Sequence, residues 1–347
     1  MDKVLIKDIA EVVNGSTPST KENSYWDGNI PWITPKDLSA FSGRYISSGE
    51  RNITKEGYLS CSTTLVPKNT ILLTSRAPIG YLAIAKNDLC TNQGFKSLIC
   101  NQSKVLPLYL FYWLSTKIEF LKSISGGATF KELSKTSLEN VVMDLPNIVQ
   151  QQHIVDTIGT IDDLIENSLN IKENLSKLSH LSLEKSAKFR SKKVRLCTIA
   201  SVSSGKAKNK IVNGKYPLIG ANGQIGLSNE TNACEYSIVT GRVGTLGKFQ
   251  YFDSKIWCSD NTLIIDSKFP TITFLFLKNH FDFKTIKRGS TQPLLTQKDL
   301  GQIEILIPTD SEATESKLTM YQKYIWNIEK QIEVLKSLKN MLLAKYF

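Results

Sequence analysis

The chain has only three histidines, His153, His180 and His280, each isolated, so neither a histidine-rich metal site nor a Ser/His/Asp triad has material to draw on. Its six cysteines (Cys61, Cys90, Cys100, Cys197, Cys234 and Cys258) form no CxxC pair and are expected as buried small hydrophobes, not as a zinc or disulfide framework. No two of the eleven prolines are adjacent. That excludes an Asn/Asp-Pro-Pro-Tyr/Phe methyl-transfer signature, and no glycine-rich nucleotide loop follows the first strand. The longest apolar run, near residues 272–277, is far short of the ~20 residues that cross a bilayer. The opening MDKVLIKDIAEV has no signal-peptide core, so a cytoplasmic protein without a membrane role is expected.

Two segments imitate chemistry without meeting its requirements. GRVGTLGK (241–248) places five residues between Gly241 and Gly247 where a phosphate loop needs four, and Phe249 stands where Ser or Thr is required. Asp253-Ser-Lys255 and Asp266-Ser-Lys268 have the acid-x-lysine shape of some nucleases, but no paired carboxylate precedes them on a convincing strand. They read as surface charge, and no catalytic or metal-binding residue is assigned.

What the 347 residues do hold is one plan run twice: a β-rich segment, a short strand ended by proline, then a long amphipathic helix. VLIKDIAEVVNG meets VRLCTIASVSSG, with Ala10 over Ala200. LLTSRAPIG (72–80) meets IVTGRVGTLG (238–247), with Arg76 over Arg242, and TNQGFKSLI (91–99) meets SDNTLIIDS (259–267). SGGATFKELSKTSLENVVMDLP (125–146) meets RGSTQPLLTQKDLGQIEILIP (288–308), with Gly127 over Gly289 and Pro146 over Pro308. A period of about 160 residues is too long for a solenoid and suits a duplicated domain with pseudo-two-fold symmetry. The expected organisation is an α/β protein: unit one over 1–148, a spacer helix over 149–190, unit two over 191–310 and a second spacer helix over 311–347.

In the first helix Ile154, Ile158, Ile161, Ile165, Leu169, Leu175, Leu178 and Leu181 recur three or four apart, with one step of six between Leu169 and Leu175. In the second, Leu318, Tyr321, Ile325, Ile328, Ile332, Leu335 and Leu342 give the seam of a coiled coil. The two are expected to pack antiparallel as a rigid spacer of roughly 55 Å at ~1.5 Å per residue, setting the interval between two binding units. By the same symmetry VLIKDIA should lie beside the end of the second helix.

The net charge of +11 is uneven, with +3 in residues 1–150 and +7 in residues 191–310. Such a surface suits phosphate, and the useful chemistry is Arg to guanine, Asn or Gln to adenine, and Lys, Ser or Thr to the backbone. In the first unit this selects Lys21, Thr34, Lys36, Arg76, Asn92, Gln93, Lys96 and Thr129. In the second it selects Asn222, Gln224, Arg242, Lys248, Asn261, Lys287, Arg288, Ser290 and Gln292, with Arg76 and Arg242 foremost. Asn92, Asn222 and Asn261 read equally as turn formers. Trp26, Trp32, Trp113, Trp257 and Phe111 are expected in the core.

IAEVVNGSTPSTKENSYWDGNIPWITPKDL (9–38), LLTSRAPIGYLAIA (72–85), TNQGFKSLI (91–99) and QQHIVDTIGTIDDLIE (151–166) resemble the specificity subunits of type I restriction-modification systems. The resemblance implies two target recognition domains reading a bipartite double-stranded DNA sequence. It also implies two bound methyltransferase subunits carrying S-adenosylmethionine, motor-nuclease subunits joining for restriction, and no cofactor or chemistry in this chain. SEATESKL (311–318) replaces the family-like glutamine pair in the second helix, and the second unit shows no counterpart to residues 25–35. The residues between Ala10 and Arg76 outnumber those between Ala200 and Arg242, so an asymmetric target with an unread gap is expected. The rival reading is a duplicated RNA or single-strand binder that uses the coiled coil for assembly; exposed aromatics would mark it.

Overall fold

The computed structural model describes the chain except for residues 1, 40, 128–130, 244–247 and 283–293, together with the side chain of Phe189. It forms two compact units, one of residues 1–166 with 334–347 and one of residues 167–333. Each of the two long helices, Ile148–Phe189 and Ser311–Tyr346, contributes to both units.

The first unit begins β1 (Asp2–Leu5), α1 (Ile6–Ile9), β2 (Ala10–Asn14), β3 (Trp26–Ile33), α2 (Pro35–Ser39), β4 (Tyr45–Ile46), β5 (Arg51–Ile53) and α3 (Lys55–Leu59). It continues β6 (Ile71–Thr74), β7 (Leu82–Ala85), β8 (Cys90–Thr91), β9 (Phe95–Cys100), α4 (Pro107–Thr116), α5 (Ile118–Ser123), α6 (Lys135–Glu139), β10 (Val142–Leu145) and the start of α7 (Ile148–Phe189). The second unit holds β11 (Ser191–Arg195), β12 (Ala200–Ser204), β13 (Tyr216–Gly220), β14 (Gly223–Ser228), β15 (Ile238–Gly241), β16 (Phe249–Tyr251), β17 (Trp257–Cys258) and β18 (Thr262–Ser267). Then come α8 (Pro270–His280), α9 (Gln297–Gly301), β19 (Glu304–Pro308) and α10 (Ser311–Tyr346), which ends in the first unit.

Each unit repeats the same three sheets. β2-β9-β6-β7-β4 matches β12-β18-β15-β16, β5-β3-β8 matches β14-β13-β17, and β1-β10 matches β11-β19. Local chemistry repeats as well: Pro107 and Pro270 open α4 and α8, where a missing N–H costs nothing. Ser134 and Thr296 cap α6 and α9 by accepting from Ser137 N and Asp299 N. The extra length of the first unit is α2, β4 and α3, which stand between β3 and β6 where the second unit has only β14.

The registers correct the sequence alignment. Ala10 pairs with Cys100 as Ala200 pairs with Ser267, and Ile71 pairs with Leu98 as Ile238 pairs with Ile265. Ile71 and Ile238 are thus equivalent, 167 residues apart, so Ser75 occupies the position of Arg242 and Arg76 that of Val243. Matching Thr-x-Arg on both sides pulled the alignment one residue out, and in a strand one residue exchanges the faces. Residues 25–35 are not without an equivalent in the second unit. Their counterpart exists as β13, which pairs parallel with β17 and antiparallel with β14 just as β3 pairs with β8 and β5. Its sequence, YPLIG, shares too little with WDGNIPWI to be matched.

The long helices meet within each unit in antiparallel sense. In the first, His153 lies against Tyr346 and Lys339 bonds to Asp162; in the second, Lys172 pairs with Glu329, and Leu183 and Leu318 share one core. Ile154, Ile158, Ile165, Leu318, Ile325 and Ile332 point inward as expected. Leu178 and Leu181 do not: they are exposed, and Asp162, Ser168, Ser179 and Leu183 hold the buried face of α7. The helical period carries that face past the leucines and onto polar residues. Val4, Ile6 and Ile9 share a core with Leu342, Leu343 and Tyr346 at the end of α10, as the duplication required. The five expected core aromatics are all buried. Of the cysteines only Cys90 and Cys258 are buried, whereas Cys197 and Cys234 are exposed.

Candidate nucleic-acid interface

At one end of the main sheet of each unit, the ends of β2, β6 and β9, or of β12, β15 and β18, are tied by the same main-chain bonds. Ser16 N donates to Thr91 O, Ser75 N to Gly94 O and Leu133 N to Ser75 O, at 3.0, 2.7 and 2.9 Å. In the second unit Lys206 N donates to Cys258 O, Arg242 N to Asn261 O and Leu295 N to Arg242 O, at 3.0, 3.0 and 2.9 Å. Gly15 and Gly205 close the frame. A Cβ on Gly15 would sit 2.2 Å from Asn92 O, and one on Gly205 2.0 Å from Ser259 O, so only glycine fits.

This shared frame carries different side chains. In the first unit it gathers Arg76, Asn92, Gln93 and Lys96. Gln93 Oε1 accepts from Thr17 Oγ1, and Asn92 Oδ1 accepts from Gly94 N at 2.8 Å, the turn-forming role. Lys96 is buried, with its ammonium 3.3 Å from Glu132, and Arg76 Nη1 lies 3.6 Å from the same carboxylate. Val243, Leu263 and Leu294 hold the three equivalent positions in the second unit, so a charged trio in one copy is an apolar trio in the other. Thr34 is next door, because Asn92 N donates to Ile33 O, but its hydroxyl and N–H are both given to Asp37, each at 2.7 Å, at the start of α2. Lys36 is paired with Glu50 at 2.6 Å, and Lys21 is exposed outside the group.

In the second unit Arg242 and Asn261 are adjacent through their main chains, and Arg242 Nε is buried without a hydrogen-bond partner among the described residues. Ser75 Oγ, at the equivalent position, is likewise buried and unpartnered among the described residues. Lys248 is exposed just before β16, and Asn222 and Gln224 are exposed at the tip of the β13–β14 hairpin. Gln250 Nε2, from β16, holds that tip by donating to Gly220 O and Ala221 O at 3.2 and 3.3 Å. Thr129, Lys287, Arg288, Ser290 and Gln292 lie outside the described residues. Lys206, Lys208, Lys210 and Lys215 are not among the sequence-selected residues; the K-x-K-x-K spacing is a signal for the first three.

Behind the frame an indole has changed strands. Trp32 Nε1 on β3 donates to Ser16 O at 3.0 Å, and Trp257 Nε1 on β17 donates to the equivalent Lys206 O at 2.9 Å. Trp32 stands across from Cys90, and Trp257 across from Leu218. The same donor reaches the same carbonyl from opposite members of one strand pair. Trp26, Trp32 and Trp257 are buried inside the units and are not available as stacking platforms, whereas Tyr45, Phe120 and Tyr324 are exposed.

The first unit is also locked onto its helices by charge. Arg44 is buried, donates from Nε to Glu166 at 2.9 Å and contacts Asp163, while Asp162 accepts from Tyr112 Oη at 2.8 Å and Lys339 Nζ at 2.7 Å. Burial alone would weaken the Arg44 cation; the bonds to Glu166 and Asp163 hold its pKa above the ordinary value. The same bond from Arg44 depresses the pKa of Glu166. Asp253 and Asp266, the nuclease-like acids, are engaged with Lys330 at 2.6 Å and Ser237 at 2.5 Å.

A duplicated α/β scaffold that presents two different polar side-chain sets on one main-chain frame defines a double recognition protein. The comparisons agree: residues 1–177 and 191–344 both match the family profile described as the type I restriction modification DNA specificity domain, and the chain belongs to that family. Over 176 residues it is 53% identical to the type I restriction enzyme MjaIX specificity subunit of Methanocaldococcus jannaschii, covering 50% of this chain and 40% of that protein. The Escherichia coli EcoR124I/EcoR124II specificity subunit is 30% identical over 165 residues, covering 45% and 40% respectively. The chain thus spans less than half the length of these relatives. In fold it is similar to the crystal structure of the type I restriction-modification S subunit from M. genitalium, with a TM-score of 0.73 at 17% identity over 100% of this chain and 96% of that one. No described helix is long and apolar enough to cross a membrane.

Proposed function

We propose that this chain is the DNA-specificity subunit of a type I restriction-modification complex. The observation that carries the reading is one backbone frame with two unlike side-chain sets: Arg76, Asn92, Gln93 and Lys96 in one unit, Arg242, Asn261 and Lys248 in the other. Each unit would read its own half of a bipartite, asymmetric duplex through the major groove, where arginine and amide side chains distinguish bases. The chain itself would do no chemistry. Two methyltransferase subunits would bring S-adenosylmethionine, and motor-nuclease subunits would join them for restriction.

Each unit offers a place for one methyltransferase subunit. α10 exposes Met320 and Tyr324 in the second unit and Val334, Leu338 and Met341 in the first. Apolar side chains left outside a core mark interaction surfaces when they are grouped. Mapping N6-methyladenine across the host genome with and without the gene tests the proposal. Loss of one split motif on deletion is expected, whereas a continuous palindrome in its place would count against two unlike half-sites.

A further inference from the structure

The second unit carries a lysine strip that the base-reading candidates do not include. Residues 206–215, KAKNKIVNGK, hold four lysines and no acid, whereas the corresponding stretch of the first unit, residues 16–29, carries one lysine against Glu22 and Asp27. The strip is fixed along its length. Lys206 N donates to Cys258 O, its carbonyl accepts from Trp257 Nε1, Ile211 N donates to Leu227 O, and Lys215 N donates to Asn229 Oδ1 at 3.3 Å.

Lys208 serves as the strut. Its ammonium lies 4.1 Å from the centre of the Trp257 ring and 2.6 Å from Glu230, so it neutralises that acid. Lys206, Lys210 and Lys215 are exposed and have no carboxylate partner among the described residues. Lys206 stands on the same frame as Asn261 and Arg242, so the strip starts where the base-reading candidates of the second unit begin. Three exposed ammonium groups without carboxylate partners among the described residues, carried on a tied main chain beside a polar reading site, suit the phosphates flanking the bases read there.

We propose that Lys206, Lys210 and Lys215 are a phosphate-backbone track that makes the second unit the electrostatic anchor of the protein on duplex DNA. This rests on the DNA-specificity reading above and adds to it that the two half-sites are bound unequally. The first unit, without such a track, depends on its base contacts. Association then begins at the second half-site, and salt weakens that half more than the other.

The test is fluorescence anisotropy of the full-length chain on a labelled duplex of random sequence across a salt series. Each phosphate contact contributes about 0.9 to the slope of log affinity against log salt, so K206A/K210A/K215A should flatten it by about 2.7. Between about 50 and 200 mM salt the wild-type affinity should then fall about forty-fold more than that of the variant. K55A/K68A/K86A, which removes the same charge from exposed positions of the first unit, should leave the slope in place. An unchanged slope in the strip variant, or an equal drop in the control, overturns the track while leaving the specificity reading intact. Absence of duplex binding by the wild type, or preference for single-stranded RNA over duplex, overturns both.

Discussion

The Arg76–Glu132–Lys96 cluster yields the most discriminating prediction, because the second unit shows the same three positions filled by Val243, Leu263 and Leu294. Glu132→Ala would leave the buried Lys96 ammonium without its partner. Losing one partner of a fully buried pair costs about 3 to 5 kcal/mol, but Glu132 is 41% exposed, and solvent screening reduces the expected loss to about 1 to 3 kcal/mol. Replacing the whole trio, R76V/K96L/E132L, removes the charges together and supplies apolar contacts that the fold already accommodates in its other copy. Such replacements are often neutral or stabilising, so the triple variant should stay within about 1 kcal/mol of wild type. Calorimetry would read this as a Tm shift of about 2 to 4 °C per kcal/mol for a unit of this size. The comparison removes the ambiguity of the single mutant, which mixes the worth of the pair with the cost of a stranded charge. A triple variant at least as unstable as Glu132→Ala would refute the equivalence of the trios. If Arg76 also reads a base, the stable triple variant should lose methylation at the motif containing the first half-site.

Arg242→Ala should weaken recognition of the second half-site by about 1 to 3 kcal/mol, read as relaxed sequence choice at one position in a methylome, with the first half unchanged. Gly205→Ala forces a Cβ into Ser259 O and should destabilise the second unit by more than about 1 kcal/mol, whereas the same change at exposed Gly126, which meets nothing within 4 Å, should not register in thermal unfolding. Because Arg44 lowers the folded pKa of Glu166 from the ordinary 4.5, its contribution is complete above that value and is lost as pH falls through the lower folded value; Arg44→Leu should abolish this part of the acid sensitivity in a pH series of unfolding midpoints. Met320→Asp with Tyr324→Asp should leave the fold intact and reduce co-purification with a methyltransferase subunit, and equal recovery would remove that face of α10 from consideration.

The duplication, the two β-rich units and the inward seam of α10 were legible because they rest on periodicity and on proline and glycine punctuation, which survive divergence. β13 was not legible. Its place is set by parallel pairing with β17, a long-range main-chain contact, and the aligned stretches IPWI and YPLI share only Pro31 with Pro217 and Ile33 with Ile219. The Arg76/Arg242 match failed for a related reason: identical letters outweighed strand register, and register is fixed by partners more than twenty residues away. At the candidate site the sequence could name residue types but not their commitments. Thr34 and Lys36 are good DNA ligands in isolation, yet Asp37 and Glu50 hold them. Lys206, Lys210 and Lys215 lie where the two copies differ, so the duplication gives no pointer to them.

The migration of the indole between β3 and β17 limits how pieces of the two copies can be exchanged. Moving β13 alone into the place of β3 would set Leu218 against Cys90 and leave the carbonyl of Ser16 with no ring to receive a proton from. Moving β17 alone into the place of β8 would bring Trp257 against Trp32, two indoles competing for one socket. A working chimaera has to transplant the parallel strand pair as a single cassette, so the smallest portable piece of this recognition scaffold is two strands distant in sequence.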